Sequence, residues 1–259
     1  MDPRVSLLRE YYGGLPMDRA KVETREHGFA FLERLQEGGL TLDYGELTLS
    51  GLLHKYRLSG IPPARMDALL HDHVEKRCNV CLYFADGANR TFCFNLDNNH
   101  KTDNTQIIPE MALAMRAVRG ALEALGCPPL VLASGRGYHL WCRLSEPVDN
   151  TSLYAFMRKV SVGALAAVHA AGLDHRRVKV NVYPDRRTRD TVSLRLFGSD
   201  HAKNRVFSRV VSGDGLLDEA ASWAEFERHL REKTIAPADF LRAFAASQEP
   251  GFMVPEGAS

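Results

Sequence analysis

The sequence has no run of eighteen consecutive apolar residues, and therefore no segment that is predicted to span a membrane. Its first residues, MDPRVSLLREYYGG, contain no apolar stretch typical of a signal peptide. The five cysteines are an odd number, and they are spread through a chain without an export signal. We therefore expect a cytoplasmic protein with reduced thiols and no membrane partner.

An excess of charge of either sign is also missing. The 259 residues carry a formal net charge of +1, so total charge favours no class of partner and any basic surface must be local. The chain contains neither an internal repeat nor a low-complexity tract. Apolar residues make up 45% of the chain and charged residues 25%, which is the composition of a globular protein that buries a core.

The pattern of apolar residues predicts helices at both ends of the chain and a mixed region between them. Residues 18–75 have helical, amphipathic periodicity. The β-forming segments 79–84 and 91–96 flank a turn-rich stretch and predict a β-hairpin. The further predicted elements are helices at 109–125, 153–171, 218–232 and 237–246, and strands at 130–133, 138–144, 178–183, 192–197 and 205–211.

This order predicts an α+β fold with a mixed, largely antiparallel sheet core, like an elaborated RNA-recognition fold, and with flanking helices. We expect an N-terminal helical region that packs on the core at 1–76 and an α/β core at 77–212. C-terminal helices at 213–248 and a flexible tail at 249–259 complete the predicted organisation.

Three strand-associated segments carry polar groups suited to chemistry. In the first, FCFNLDNNH, Asn95 and Asp97 are two residues apart, so on a strand their side chains share a face. The second, SGRGYH from Ser134 to His139, has glycines that allow a backbone to approach a phosphate closely. The third, NVYPDR, begins at Asn181 and is followed by RLFGSDHAK, whose cationic and hydroxyl groups suit phosphates.

Together these segments resemble the three motifs of the archaeo-eukaryotic primase superfamily, over roughly residues 79–211. That family has an acidic pair after an apolar strand, a Ser-Gly-x-x-Gly-x-His motif, a third acid on a strand, and then an Arg-x-x-Gly-Ser-x-His stretch. The resemblance implies nucleotidyl transfer with Mg²⁺ or Mn²⁺. It implies a catalytic set of Asp97, Asn95, Asn181 and His139, and a nucleotide-binding set of Ser134, Arg136, Gly137, His139, Arg195, Ser199, His201 and Lys203. It also implies that Asp97, His139 and Arg195 lie on neighbouring strands.

This sequence departs from the family at its acidic positions. Asn95 stands at the first acidic position and Asn181 at the third, so Asp97 is the one carboxylate of the motif set. Asp185 and Asp190 lie nearby and are the candidate substitute metal ligands. Because amide oxygens are neutral, the loss of two negative charges weakens binding of a hard divalent ion. We therefore expect nucleotide binding together with weak or absent catalysis.

Two other readings of individual residues compete with this one. Asp97 lies in LDNNHKTDN, which is also typical of a loop rich in Asn and Asp. His71, His73, Cys78 and Cys81 have spacing compatible with zinc, but Cys81 falls inside a predicted strand, so we favour buried thiols and surface histidines over a metal.

A local basic surface is predicted between residues 176 and 209. This segment has ten Lys or Arg against three Asp in a chain of almost no net charge. Such a concentration suggests a nucleic-acid track, with Arg186, Arg187 and Arg189 as its contact residues, although a solvated face is the alternative.

The predicted function is that of a primase-polymerase-like protein that binds nucleoside triphosphate and single-stranded DNA or a primer-template. A helicase or another replication protein is the protein partner that fits this function. The first alternative is a catalytically degenerate primase-like module in a replication or defence assembly. The second is an RNA-recognition-like binding protein that stacks bases on sheet aromatics such as Tyr83, Phe92 and Phe94.

Overall fold

The computed structural model describes residues 2–24, 41–47, 54–99, 107–185, 193–201, 204–213, 215–249 and 252, with the backbone alone for 41–47. In chain order the elements are α1 (Pro3–Tyr12), β1 (Ala20–Thr24), β2 (Thr41–Leu47), β3 (His54–Ser59), α2 (Pro63–Val74), β4 (Cys78–Tyr83), β5 (Ala88–Asn98), α3 (Pro109–Ala124), β6 (Leu130–Ala133), β7 (Tyr138–Asp149), α4 (Asn150–Ala170), β8 (Val178–Tyr183), β9 (Ser193–Arg195), β10 (Arg209–Ser212), β11 (Gly215–Leu216), α5 (Glu219–Glu232) and α6 (Pro237–Gln248). A short 3₁₀ turn, His175–Arg177, precedes β8. None of the described helices is both long enough and apolar enough to cross a membrane.

The chain forms two compact units. Unit 1 consists of Met1–Ala85 and Arg189–Ser208, and unit 2 of Asp86–Thr188 and Arg209–Ser259. Each unit has its own antiparallel sheet, so the predicted α+β fold with largely antiparallel strands is confirmed. The predicted boundaries at 76/77 and 212/213 do not coincide with these units.

Unit 1 has a five-stranded sheet in the order β2-β3-β1-β4-β9, together with α1 and α2. Alternate residues of β1, Ala20 and Val22, are fully buried, as a strand with one face on a core requires. A buried histidine fixes α2 to this sheet: Val80 N–H donates to His73 Nδ1 at 3.0 Å, and His73 Nε2 lies 2.9 Å from the Phe197 carbonyl oxygen. These contacts require a neutral ring with its proton on Nε2, and burial lowers the pKa of His73 to about 4.

Unit 2 has a six-stranded sheet in the order β11-β10-β6-β7-β5-β8. Phe92, Phe94 and Leu96 of β5 lie in the apolar core of this unit. Phe92 has edge-to-face contacts with Phe156 of α4 and Phe240 of α6, at centroid distances of 6.0 and 5.9 Å. The core therefore lies between one face of the sheet and the helices, and it leaves the odd-numbered residues of β5 on the other face.

Two predictions of local structure are wrong. The region 18–75 is predicted to be helical, but its described residues form strands β1, β2 and β3 as well as helix α2, and residues 25–40 and 48–53 lie outside the described part. The predicted hairpin of 79–84 with 91–96 does not form, because β4 pairs with β1 and β9 whereas β5 pairs with β7 and β8. Both segments are strands, as predicted, but they belong to different sheets.

Most other predicted elements are confirmed to within a few residues. Helix α3 and strands β6 and β8 lie at their predicted positions. The predicted flexible tail lies largely outside the described residues, although Phe252 packs against the core of unit 2.

Candidate nucleotide-binding site

Polar residues of three adjacent strands form a row across the sheet of unit 2. Asn95 of β5 is directly opposite His139 of β7 on one side and directly opposite Asn181 of β8 on the other. Directly opposed residues of antiparallel strands point to the same face. Asp97 lies two residues after Asn95 on β5, so its side chain is on the same face. The structure therefore brings together, within unit 2, the four residues of the predicted catalytic set.

Asp97 is a partly buried carboxylate in the neighbourhood of cations. Its Oδ2 accepts a hydrogen bond from Asn95 Nδ2 at 2.9 Å. Burial raises the pKa of Asp97, and this is opposed by the Asn95 hydrogen bond and then by the charges of Arg136 and Lys179. Lys179 is directly opposite Asp97 in the strand register. The single carboxylate thus has an amide and two cations as its electrostatic environment.

The Asn95 side chain has an unsatisfied acceptor. Asn95 is 9% exposed, and its Oδ1 is buried without a hydrogen-bond partner among the described residues. Burial also raises the pKa of the neighbouring Tyr183 to about 12, and a hydrogen bond with Asn95 opposes this shift. An unpartnered buried acceptor costs about 1–3 kcal/mol, so this oxygen is a position where a bound donor or cation is favourable.

The glycine-rich turn between β6 and β7 brings its backbone against β5. Ser134 N–H donates to the Gly137 carbonyl oxygen at 2.8 Å, and Gly135 has a φ of +93°. A Cβ atom on Gly137 would lie 1.9 Å from the carbonyl oxygen of Leu96, a contact that no side chain permits. The glycine at 137 is therefore required by the close approach of the turn to the strand between Asn95 and Asp97.

The described donor set does not fit a two-metal centre. Asp97 supplies one carboxylate, which already accepts a hydrogen bond from Asn95, while Asn95 and Asn181 offer neutral amide groups. Asp185 follows β8 and contributes to the electrostatic environment of Tyr183. Two-metal nucleotidyl transfer depends on anionic ligands that hold both ions, and one carboxylate in a cationic neighbourhood does not provide them.

The other half of the predicted nucleotide-binding set lies in unit 1. Arg195 is on β9, which pairs with β4, so the expectation that it lies on a strand neighbouring those of Asp97 and His139 is wrong. Its Nη1 donates to the Ser199 carbonyl oxygen at 3.1 Å, and the Ser199 hydroxyl donates to the Cys78 carbonyl oxygen at 3.3 Å. Ser199 is 1% exposed, so its hydroxyl fixes the loop after β9 to β4.

A small cavity of about 290 Å³ opens beside this loop within unit 1. Its lining includes His201, Lys76 and Arg205, together with the carboxylates of Glu23 and Asp200. Lys76 and Arg205 both have left-handed backbone conformations, with φ values of 62° and 56°. The cavity contains groups of both signs, so its charge alone selects no ligand.

Of the two histidines in the zinc-compatible set, His71 is exposed as predicted, whereas His73 is buried and the prediction of a surface histidine is wrong there. Both ring nitrogens of His73 contact backbone groups, and Cys78 and Cys81 are buried. Burial raises the pKa of the Cys81 thiol to about 12, so it is a neutral thiol at physiological pH.

Several predicted site residues lie outside the described part of the chain, namely Arg186, Arg187, Arg189, Asp190 and Lys203. Conversely, sequence reasoning did not include Lys179 and Tyr183 in the site. Both alternate with Asn181 along β8, which places all three on one face of the strand. Applying strand alternation to the third motif, as to the first, would have found them.

No model of a known protein family matches the chain, and no curated protein matches it by sequence. Among solved structures, it is similar to the polymerase domain from Mycobacterium tuberculosis Ligase D in complex with DNA, with 17% identity and a TM-score of 0.45, over 94% of this chain and 90% of that one. It is also similar to the AEP domain of the cyanophage S-2L primase-polymerase, with 14% identity and a TM-score of 0.33, over 88% of this chain and 95% of that one. At these identities and TM-scores, the similarity assigns no function to the chain.

Proposed function

We propose that the protein is a primase-polymerase-like protein that binds a nucleoside triphosphate and a nucleic-acid template. The observation that carries this proposal is the row of His139, Asn95 and Asn181 across three strands, with Asp97 beside it. These residues come from three separate sequence motifs, which follow one another along the chain as they do in the resembled family. A chance match of short motifs does not explain why the three motifs contribute to one sheet face.

The chemistry of the row favours phosphate binding over metal binding. Arg136 is in the glycine-rich turn, Lys179 is in register with Asp97, and both act on the charge of that carboxylate. In this proposal the two cations contact phosphate oxygens, and charge-assisted contacts of this type contribute about 1.5–3 kcal/mol each. Asp97 and the Asn95 amide orient the ligand by hydrogen bonds.

A bound Mg²⁺ or Mn²⁺ would supply activation of the attacking 3′-oxygen and neutralisation of the leaving group. Because the donor set contains one carboxylate, we propose that synthesis by this chain is weak or undetectable while nucleotide binding is retained. The second candidate function follows from the same residues: a catalytically degenerate primase-like module that binds nucleotide or nucleic acid within a replication or defence assembly. The amides at Asn95 and Asn181 favour it specifically.

Nucleotide binding is tested by titrating the full chain with ATP in a calorimeter. We expect Arg136→Gln and Lys179→Gln each to weaken binding by about tenfold or more, since each removes a charge-assisted contact. Arg158→Gln, which removes an exposed cation of α4, is the matched control and leaves the affinity unchanged. Equal affinity of both site variants and the parent chain would refute the assignment of these residues.

Primer extension with Mn²⁺ separates the two candidate functions. Weak extension that Asp97→Ala abolishes supports the enzyme, whereas binding of ATP without any extension supports the degenerate module. Robust extension by the parent chain contradicts the proposal of a metal-poor site. Failure to bind either ATP or single-stranded DNA contradicts both candidate functions.

A further inference from the structure

A cavity of about 640 Å³ in unit 2 is lined by residues of helix α3, strand β7 and the hairpin of β10 and β11. Met115 of α3 and Tyr138 of β7 contribute to its walls, and both belong to the apolar core of the unit. On the hairpin, Val211 and Leu216 are directly opposed in the strand register, so both side chains lie on the face that lines the cavity. Cavities of about 300–1,000 Å³ with mostly apolar walls are typical of small-molecule sites.

Two of the side chains that line this cavity are apolar groups exposed to solvent. Among the described residues, five large apolar side chains are exposed, and Ile107 and Leu216 are two of them, at 38% and 52%. Single exposed apolar residues are ordinary on a protein surface, but apolar groups gathered around one concave surface are typical of a binding site. The cavity therefore offers apolar area that a ligand can bury.

A glycine inside helix α3 keeps the cavity open. Gly120 lies in the interior of this helix, where glycine is less favourable than alanine, and it lines the cavity. A Cβ atom on Gly120 would meet no atom within 4 Å, so packing within the described part of the chain does not require a glycine there. The missing side chain instead widens the cavity and allows a ligand to approach the helix backbone closely.

One cation beside the cavity is available to a ligand. Arg119 and Glu123, which both line the cavity, form an ion pair at 2.8 Å. Arg116 also lines it but forms no ion pair within the described ranges, and the positions three and four residues away on α3 carry no carboxylate. Burial raises the pKa of Tyr138, and the charge of Arg116 opposes that shift, so the guanidinium lies near the phenol at the cavity wall.

We propose that this cavity binds a small organic anion, whose apolar body lies between α3 and the hairpin and whose carboxylate or sulfonate group contacts Arg116. The apolar walls favour burial of the body of such a ligand. A guanidinium contacts a carboxylate through two parallel hydrogen bonds, which fixes the orientation of the ligand. One available cation matches one negative charge, whereas a polynucleotide is bound by several cations along its backbone.

The cavity is separate from the row of His139, Asn95 and Asn181. Tyr138 and His139 are consecutive residues of β7, so their side chains are on opposite faces of the sheet. Tyr138 lies on the core side, which the helices cover, and the row lies on the other side. The proposed ligand is therefore independent of the nucleotide of the proposed function.

The test is a fluorescence titration of the full chain with anilinonaphthalene sulfonate, an apolar anion, followed by displacement of this probe with decanoate. We expect Arg116→Gln to weaken binding of both ligands by about tenfold, since it removes one charge-assisted contact. Gly120→Leu should weaken both at least as much, because its side chain extends into the cavity from a position where the Cβ atom meets no other atom.

The matched controls are Arg158→Gln and Ala166→Leu, which make the same kinds of change at exposed positions of α4. We expect both control variants to bind the probe and decanoate as the parent chain does. Arg116→Lys keeps the charge and retains most of the affinity. A thermal melt of each variant checks that it folds.

The outcomes distinguish this site from the proposed function. If the parent chain binds neither ligand, or if Arg116→Gln and Gly120→Leu bind them as tightly as the controls, the cavity is not an anion site. If ATP displaces the probe, the cavity belongs to the nucleotide site and a separate ligand is refuted. If decanoate binding depends on Arg116 and Gly120 while the parent chain does not bind ATP, the anion site stands and the proposed function fails.

Discussion

Asn95 donates a hydrogen bond to Asp97 across 2.9 Å, and this amide–carboxylate pair stands where the resembled family has two carboxylates. A donor beside a partly buried carboxylate stabilises the charged form without any metal ion. A second carboxylate at position 95 would instead repel Asp97. The Asn95 donor therefore offsets part of the cost of burying the charge of Asp97.

Restoring the missing acids should create metal affinity. We expect the double variant Asn95→Asp with Asn181→Glu to bind Mn²⁺ at least about tenfold more tightly than the parent chain, because two negative ligands replace neutral ones in one row. Isothermal titration or the paramagnetic resonance of free Mn²⁺ measures the change.

The matched control for this variant is Asn89→Asp with Asn204→Glu, which adds the same charge outside the row. Mn²⁺ binding that is no tighter in the restored variant than in this control would mean that positions 95 and 181 do not form a metal site.

The raised pKa of Asp97 predicts a pH dependence of stability with a defined sign. Since the folded state holds the proton more tightly than the unfolded state, Asp97 stabilises folding below its ordinary pKa, and this contribution is lost as pH rises through the raised value. The free energy of unfolding of the parent chain minus that of Asp97→Asn should therefore be larger near pH 4 than near pH 7.5. Urea denaturation of both proteins at these pH values measures it, and a difference that grows with pH would contradict the assignment.

Two glycine substitutions should have opposite effects on stability. Gly137→Ala places a methyl group 1.9 Å from the Leu96 carbonyl oxygen, so we expect a loss of about 1–3 kcal/mol or more. Gly120→Ala, within helix α3, meets no atom within 4 Å and should stabilise by up to about 1 kcal/mol. Chemical denaturation compares the two. Equal effects would mean that the turn moves freely away from β5.

The basic segment predicts a salt-dependent affinity for single-stranded DNA. Replacing Arg186, Arg187 and Arg189 with Gln should flatten the slope of log affinity against log salt by about two, at about 0.7 per phosphate contact. Fluorescence anisotropy over a range of salt concentrations gives the slope. A control with Arg158, Arg228 and Arg242 replaced removes the same charge from helices of unit 2. If both triple variants change the slope equally, the basic segment affects DNA binding only through its net charge.

Local patterns in the sequence predicted most of the elements from residue 79 onward but not how the strands pair. Strand β8 was predicted at its observed bounds because its residues alternate and turn residues flank it. The pairing of β4 with β1 and β9 joins segments that are far apart in sequence, so no local signal distinguishes it from a hairpin with β5. In residues 18–75, apolar spacing suited a helix as well as a strand, and Tyr56, which falls in this predicted helical region, lies in β3.

The candidate site shows the same limit. The residues Asn95, His139 and Asn181 were named through the resemblance of three local motifs to one family, whereas their alignment across β7, β5 and β8 comes from the sheet register. The alignment of Arg57, Lys21 and Arg195 on one sheet of unit 1 was not predictable either, since these residues come from separate segments and only the sheet register aligns them. Arg195 was singled out by its motif, whereas Lys21 and Arg57 belong to no motif.

The buried imidazole of His73 sets a lower limit to the pH range over which the folded state is stable. Its Nδ1 accepts from the Val80 N–H, so protonation there breaks a contact between α2 and β4. With the pKa lowered from 6.5 to about 4, the unfolded chain takes up a proton first, and stability falls between those two pH values by roughly 3 kcal/mol. His229 of unit 2 is also buried, with a pKa of about 4. Acid therefore destabilises both units over the same pH range. On mild acidification we expect neither unit to remain folded while the other unfolds.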